Sequence, residues 1–171
     1  QRLKEESGDT VETRQVSTEQ VEIVKLQNVI PPIRFESGVA DIPPSYVDSL
    51  RKVLDEVRDR RNVRLHLVGH ADNQPLSDTL ARRYGDNEGL SRERAGEVAE
   101  FLKTRLNLSA DGVSYEWAGD KRPIASNATA AGRALNRRVE VEVWYDEMKE
   151  HLVDHEVLVK EDFKRVKVCR M

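Results

Sequence analysis

The chain has few of the features that would place it quickly in a functional class. Its 171 residues include one cysteine, Cys169, which cannot form an internal disulfide and has no neighbouring partner for a metal site. No apolar run approaches the ~20 residues that span a bilayer, and the start QRLKEESGDT lacks the charged-then-apolar plan of a signal peptide. The sequence therefore predicts a soluble module, and a periplasmic module separated from its export signal or anchor would look the same.

The charges and the missing motifs exclude further classes. Lys and Arg total 28 against 31 for Asp and Glu, so the two signs nearly cancel and nucleic acid is not an expected partner. No G-x-S-x-G, phosphate-binding loop or dinucleotide-binding glycine motif is present, and Ser91 has no neighbouring histidine that would activate it. We therefore expect a protein that is not an enzyme and holds no cofactor.

Hydrophobic spacing predicts the first half of a domain. Residues 1–29 are expected to form a polar linker with a short strand near 21–23, and a second short strand is predicted at 33–35. A helix should follow the Pro-Pro-Ser segment at 43–45, with an apolar stripe formed by Val47, Leu50, Leu54 and Val57.

The second half continues the alternation of strands and helices. Residues 63–69 predict a strand that delivers His70 and Asp72 to its end, and 73–89 predict a long loop. A second helix is expected after Leu90 with Ser91 as N-cap, and alternating apolar residues predict strands at 113–117 and 139–143. The order β-α-β-α-β-β predicts an α+β fold, a two-layer α/β sandwich with a mixed sheet and both helices packed on one face.

These elements give expected bounds of 1–29 for the linker, 30–146 for the domain and 147–171 for a C-terminal extension. The tail after Tyr145 contains a polar, helix-like piece, DEMKEHL, followed by two β-prone runs, HEVLV and RVKVC. It is expected either to add a hairpin to the fold or to start another domain of a larger protein.

Three segments carry a family resemblance: GHADN at a strand end, NEGLSRERA at a helix start and GRALNRRVEVEV before the last strand. In this order they resemble the signature of the C-terminal domain of outer-membrane protein A, shared with peptidoglycan-associated lipoproteins and flagellar stator anchors. Ala71 replaces the threonine usual in the first segment, and the loop before Asn87 is longer than in typical members. The resemblance covers about two thirds of the chain.

The resemblance implies non-covalent binding of the peptidoglycan stem peptide through diaminopimelate, which presents an ammonium beside a carboxylate. Asp72 would accept hydrogen bonds from the ammonium, and Arg94 would donate two parallel ones to the carboxylate. The helix start at Ser91 would add backbone N–H groups. The remaining residues expected to shape the rim are Asn87, Leu90, Phe35 and Glu36.

The position of Arg94 gives a second reason to single it out. In the first turn of a helix starting at Ser91, a cation opposes the helix dipole by roughly 0.3–1 kcal/mol, as expected where function overrides local preference. The alternative is an ordinary ion pair between Asp72 and Arg94. Under the binding hypothesis, replacing either residue by alanine should abolish binding with little change in thermal stability.

Several questions stay open at this stage. The 73–89 segment is either a lid over the pocket or a surface insertion without a ligand role. An alternative function for the whole domain is protein–protein interaction in the bacterial envelope, with the 73–89 segment as the contact surface. Of Arg137 and Arg138 only one can face the pocket, and pairing with an acidic neighbour is the favoured role. A metal at His66, His70 and Asp72 is disfavoured. The expected location is the periplasm, associated with the outer membrane or cell wall, within a larger envelope protein.

Overall fold

A computed structural model of the chain describes residues 9–26 and 30–160, with side chains for 10–26 and 30–158. The chain divides into two compact units. One is Glu22–Glu147, and the other combines the segments 1–21 and 148–171, of which 9–21 and 148–160 are described. In these described segments, no helix is long and apolar enough to cross a membrane.

A mixed sheet and four helices make up the described structure. The strands are β1 (Asp9–Leu26), β2 (Ile33–Arg34), β3 (Arg61–Gly69), β4 (Val113–Trp117) and β5 (Arg138–Lys160), and the helices are α1 (Pro44–Val57), α2 (Asp78–Tyr84), α3 (Asn87–Leu106) and α4 (Ala130–Asn136). The sheet order is β1-β5-β3-β4, with β2 paired to β5. β3 runs parallel to β4 and antiparallel to β5. The predicted two-layer α/β sandwich with a mixed sheet is confirmed.

The core forms between the sheet and helices α1 and α3. On β3, Leu65 and Leu67 are buried, as the alternation predicts. On α1, three residues of the predicted stripe, Leu50, Leu54 and Val57, are buried; Val47 is only partly buried, and Val53 is buried in addition. Val98 and Leu102 of α3 join the same cluster. Pro44 occupies the start of α1, where a backbone N–H would have no hydrogen-bond partner within the helix, so proline is tolerated there.

Helix α3 begins earlier than predicted, and the loop before it is partly helical. The cap of α3 is Asp86, whose side chain accepts a hydrogen bond from the Gly89 N–H, so Ser91 is not the N-cap. Within the expected 73–89 loop, Ser77 caps α2 through the Leu80 N–H, and Gly85 ends it with a φ of 84°. The sequence prediction failed here because short polar helices bury too little to produce apolar periodicity.

The two ends of the chain also differ from expectation. Residues 9–20, expected to be linker, lie in β1, and DEMKEHL is part of β5 rather than helical. HEVLV also lies within β5, whereas RVKVC lies outside the described residues. In the unit formed by the chain ends, the Thr18 hydroxyl donates to the His151 carbonyl at 3.3 Å.

Candidate functional site

The end of β3 is held between its two neighbouring strands. The His70 N–H donates to the Arg138 carbonyl and the Ala71 N–H to the Gly119 carbonyl, both at 2.8 Å. Asp72 follows directly and is 6% exposed. These backbone contacts fix the chain just before Asp72, so this residue lies at the end of β3, as the sequence predicted.

The carboxylate of Asp72 has two partners. Its Oδ1 accepts from the Gln74 N–H at 3.1 Å, closing a turn, and its Oδ2 accepts from Arg137 Nη1 at 2.9 Å. The Asp72–Arg137 ion pair is largely buried, with side-chain exposures of 8% and 15%. An ionised carboxylate has about four acceptor positions, so Asp72 retains capacity for a further donor.

Arg94 is fully buried and held by backbone carbonyls. Its Nε donates to the Val39 carbonyl at 2.8 Å, Nη2 to Glu36 at 2.9 Å and Nη1, more weakly, to His70 at 3.5 Å. The guanidinium carbon lies 5.2 Å from the centre of the Phe35 ring. Since a guanidinium has five N–H donors, one on each Nη remains for another acceptor.

The two arginines of the site share one stretch of backbone. Arg137 Nε donates to the Phe35 carbonyl at 2.9 Å, and Arg94 donates to the next carbonyl, that of Glu36. Burial, and then repulsion by Arg137, lower the pKa of Arg94 to about 10, although the negative charge of Asp72 acts in the opposite direction. The cluster of Asp72, Arg94 and Arg137 thus has two cations and one carboxylate at its centre.

This geometry corrects three predictions about Arg94. Within the described residues, no hydrogen bond or ion pair joins Arg94 to Asp72, whose cationic partner is Arg137. Arg94 lies beyond the first turn of α3, because that helix starts at Asn87, so the argument from the helix dipole is wrong. Because the buried guanidinium binds three carbonyls, we now expect Arg94→Ala to lower stability, in place of the small change predicted from the sequence.

The other predicted residues divide into two groups. Phe35 and Glu36 border Arg94 through the ring and carbonyl contacts described above, and the Glu36 residue is exposed. Leu90 and Ser91 are buried, and the Ser91 hydroxyl donates to the Glu88 carbonyl and accepts from the Gly119 N–H. Their contact with a ligand stays a prediction, and the structure gives them a packing role.

Helix α2 borders the site. Asn87 Nδ2 donates to the Gln74 carbonyl at 3.0 Å, which ties the segment before α2 to the start of α3. A Cβ placed on Gly38 would lie 2.6 Å from Leu80 Cδ1, so α2 packs against the loop whose next residue, Val39, binds Arg94. The insertion is therefore placed beside the cluster.

A second buried cluster lies next to this one. His70 is 2% exposed, and its Nε2 lies 3.5 Å from Glu140 Oε2. Burial and then the neighbouring Arg138 lower the pKa of His70. Arg138 Nε donates to Glu140 at 2.9 Å, so this arginine has the structural pairing that the sequence favoured. Across the described segments, no group of three His, Cys, Asp or Glu residues could hold a metal.

Arg137 is a residue of the site that was not predicted from the sequence to belong to it. The prediction that it pairs with an acidic neighbour is correct, yet that neighbour is Asp72, the carboxylate at the centre of the site. Arg137 precedes β5 and meets the end of β3, so only the strand pairing brings it to Asp72. The signal available in the sequence was the Asn-Arg-Arg segment of the family signature.

Comparison with known proteins matches residues 34–137 to the OmpA family. The chain belongs to this family. The peptidoglycan-binding protein ArfA of Mycobacterium bovis is 36% identical over 112 residues, covering 66% of this chain and 32% of that protein. Outer membrane protein Omp38 of Acinetobacter baumannii is 31% identical over 129 residues, covering 75% and 34%. The chain thus spans about a third of the length of these curated relatives.

Solved structures agree with the family assignment. The cell wall anchor of the type VI secretion system from Pseudomonas aeruginosa has a TM-score of 0.54 and 30% identity, covering 77% of this chain and 87% of that one. The C-terminal domain of Helicobacter pylori MotB, with a TM-score of 0.54 and 24% identity over 67% of this chain and 84% of that one, shares the fold.

Proposed function

We propose that this OmpA-family domain binds the peptidoglycan stem peptide non-covalently through the cluster of Asp72, Arg94 and Arg137. The observation that carries the proposal is the buried excess of positive charge, because the cluster holds two guanidinium groups and a single carboxylate, which pairs with Arg137. Such a cluster favours a ligand that supplies a carboxylate of its own. The names of the relatives describe binding, anchor and outer-membrane proteins rather than enzymes.

The charges of diaminopimelate fit the cluster. The ligand carboxylate would accept the remaining N–H groups of Arg94, and its ammonium would donate to the unused acceptor positions of Asp72. Arg137 would hold the Asp72 carboxylate in the correct orientation. Because Asp72 and Arg94 are shielded from water, each charge-assisted hydrogen bond should contribute about 1.5–3 kcal/mol.

Binding of this kind would anchor a larger envelope protein to the cell wall without chemical reaction. The names of the relatives place them in the cell envelope, which supports a periplasmic location near the outer membrane or wall for this domain. Asn87, Leu90, Ser91, Phe35 and Glu36 would support or border the bound peptide.

A sedimentation assay with purified sacculi tests the proposal. The wild-type domain should co-sediment with sacculi of the diaminopimelate type, and Asp72→Asn should lose most of this binding. Asp55→Asn is the matched control, because Asp55 is an exposed carboxylate on α1 that pairs with Arg58. Equal sedimentation of the Asp72 and Asp55 variants would overturn the proposed site. If the wild-type domain did not sediment with sacculi, the proposed function would be wrong.

One observation favours a second candidate function. Helix α2 has no buried residue, and the exposed side chains of Asp78, Thr79, Arg82 and Arg83 cover it with charge and polarity. It could contact another envelope protein instead of peptidoglycan. In that case, replacing Arg82 by alanine would disrupt a complex with the partner while sedimentation with sacculi stayed intact.

A further inference from the structure

Strand β4 forms an open edge of the sheet. The order β1-β5-β3-β4 places β3 on one side of β4, and no strand among the described residues lies on the other side. The Ala118 N–H donates to the Gly69 carbonyl of β3. Because the direction of backbone groups alternates along a strand, the N–H and C=O groups of Val113, Tyr115 and Trp117 point away from β3. A further strand could pair with them.

This edge lacks the features that usually protect an edge strand from pairing with another chain. Such strands commonly carry lysine or proline, and β4, with the sequence VSYEW, has neither. Tyr115 and Trp117 are each 41% exposed, and their ring centroids lie 6.4 Å apart on the face of the sheet against which α3 packs. Two exposed aromatic side chains at an open edge are typical of an interaction surface.

Two grooves between α3 and β4 leave room for a partner beside this edge. Their volumes are about 380 and 240 Å³, and Gly96 and Tyr115 line both. Gly96 lies in the middle of α3, where glycine is less favourable than alanine. The position does not require glycine, because an added Cβ would lie 3.7 Å from the Tyr115 hydroxyl oxygen, an ordinary contact distance. Without a side chain here, however, another helix can approach α3 closely.

The sequence of β4 is complementary to itself across a two-fold axis. If two β4 strands pair antiparallel about an axis at Tyr115, the two Tyr115 side chains lie opposite each other. On the same face, Trp117 of each copy lies opposite Val113 of the other, which gives apolar pairs. On the other face, Ser114 lies opposite Glu116. This register pairs all five residues of the strand and places no like charges opposite one another.

The charges on α3 are complementary across the same axis. The Arg92 guanidinium lies 4.8 Å from the centre of the Trp117 ring, whereas Glu100 lines the groove together with Val113, at the other end of β4. Because Trp117 of one copy meets Val113 of the other, Arg92 of each copy would face Glu100 of the other. Arg92 makes no ion pair within the described residues, and the pair of Glu100 with Lys103, at 3.8 Å, is exposed and weak.

We propose that the domain associates with a second copy of itself through β4, which joins the two sheets into one and places the two α3 helices on either side of the axis. The inference does not rest on the proposed function, because none of the residues that form the interface belongs to the cluster of Asp72, Arg94 and Arg137. If that function holds, the dimer presents two clusters to one cell wall, and binding at the first raises the effective concentration for the second.

Sedimentation velocity over a wide range of protein concentrations is the first test. The wild-type chain should change from monomer to dimer with a dissociation constant in the micromolar range, as expected for a small interface. Tyr115→Lys should weaken association at least about tenfold, because it places two ammonium groups at the axis. A wild type that stays monomeric at submillimolar concentration would overturn the inference. A dimer unaffected by Tyr115→Lys would also overturn it, because another surface would then join the copies.

A charge exchange tests the predicted pairing of Arg92 with Glu100. Arg92→Glu and Glu100→Arg should each weaken association about tenfold, because like charges then face each other. The double variant should associate like the wild type, since opposite charges meet again with their signs reversed. Arg105→Glu is the matched control, because Arg105 lies on the side of α3 that faces α1. A double variant that associates no better than either single variant would contradict the placement of α3 beside the axis.

Amide hydrogen exchange locates the interface. The N–H groups of Tyr115 and Trp117 point to the open edge, whereas that of Glu116 points to β3. Exchange at Tyr115 and Trp117 should therefore slow about tenfold or more as the concentration rises, and exchange at Glu116 should change less. Gly96→Gln should fold, because glutamine is a better helix former than glycine, but should abolish this slowing by filling the groove at the axis. Exchange at Tyr115 and Trp117 that is independent of concentration in the wild type would overturn the inference.

Discussion

Replacing Arg94 by methionine should destabilise the domain strongly, because its guanidinium binds the loop and strand segments around it. Methionine keeps the aliphatic length of the side chain and removes only the charged donors. The hydrogen bonds to Val39 and Glu36, at 2.8 and 2.9 Å, are well formed, whereas the one to His70 is long at 3.5 Å. The perturbation therefore removes two strong bonds and one weak bond.

The expected size follows from these contacts. Two charge-assisted hydrogen bonds contribute about 3–6 kcal/mol in total. Removing the buried charge and its repulsion by Arg137 offsets part of this loss, since desolvation of a charge opposes folding. We expect a net loss of about 2–4 kcal/mol, a large part of the ~5–15 kcal/mol that stabilises a typical domain.

Urea unfolding followed by circular dichroism measures this free energy, and the m-value should stay constant. Arg92→Met is the matched control, because Arg92 is exposed on the same helix and its stacking on Trp117 should contribute less than about 1 kcal/mol. The stability of Arg94→Lys should fall between those of the wild type and Arg94→Met, since an ammonium keeps the charge but lacks the planar set of donors of a guanidinium. A free energy of unfolding for Arg94→Met within about 0.5 kcal/mol of the wild-type value would refute the conclusion that the hydrogen bonds of Arg94 stabilise the fold.

Three further predictions concern the framework of the site. Gly69→Ala should lower the free energy of unfolding by about 1–3 kcal/mol, because the new Cβ would lie 2.1 Å from the Ser91 carbonyl oxygen. If urea unfolding gave this variant the same stability as the wild type, the close approach would be contradicted. The lowered pKa of His70 means that the unfolded chain takes up the proton first, so stability should be full above about pH 6.5 and fall below it. His70→Gln should flatten this decline in denaturation curves between pH 7.5 and 5.5, and parallel curves would argue against it. Asn136→Ala should lose about 2–4 kcal/mol, since the buried amide makes four hydrogen bonds to residues 124, 125 and 127; a change in melting temperature under about 2 °C would argue otherwise.

The sequence predicts those elements whose pattern is dictated by burial. The alternation in β3 and the stripe on α1 survive in the structure because each buries one face against the same core. The end of β3 is also predictable, since Gly69 is its last paired residue and Asp72 comes three residues later. Phe35 and Glu36 lie beside Arg94, and their place at the rim of a binding site stays a prediction.

The parts that could not be predicted depend on contacts distant in sequence or on polar surfaces. β5 continues through DEMKEHL, a segment without an apolar face, because strand formation there is set by pairing rather than by periodicity. Asp86 and Gly89 resemble turn residues, yet they form the cap of α3. The pairing of Arg137 with Asp72 spans 65 residues and arises only when β5 meets β3.

The most direct test of the proposed binding site is a titration of the domain with two stem peptides that differ in a single carboxylate. Diaminopimelate and lysine peptides share the ammonium that would bind Asp72, but lysine lacks the carboxylate that would bind Arg94. The lysine peptide should bind about 10- to 100-fold more weakly to the wild type, and Asp72→Asn should weaken binding of the diaminopimelate peptide by a similar factor. Equal dissociation constants for the two peptides, together with an Asp72→Asn variant that binds like the wild type, would contradict recognition by this cluster.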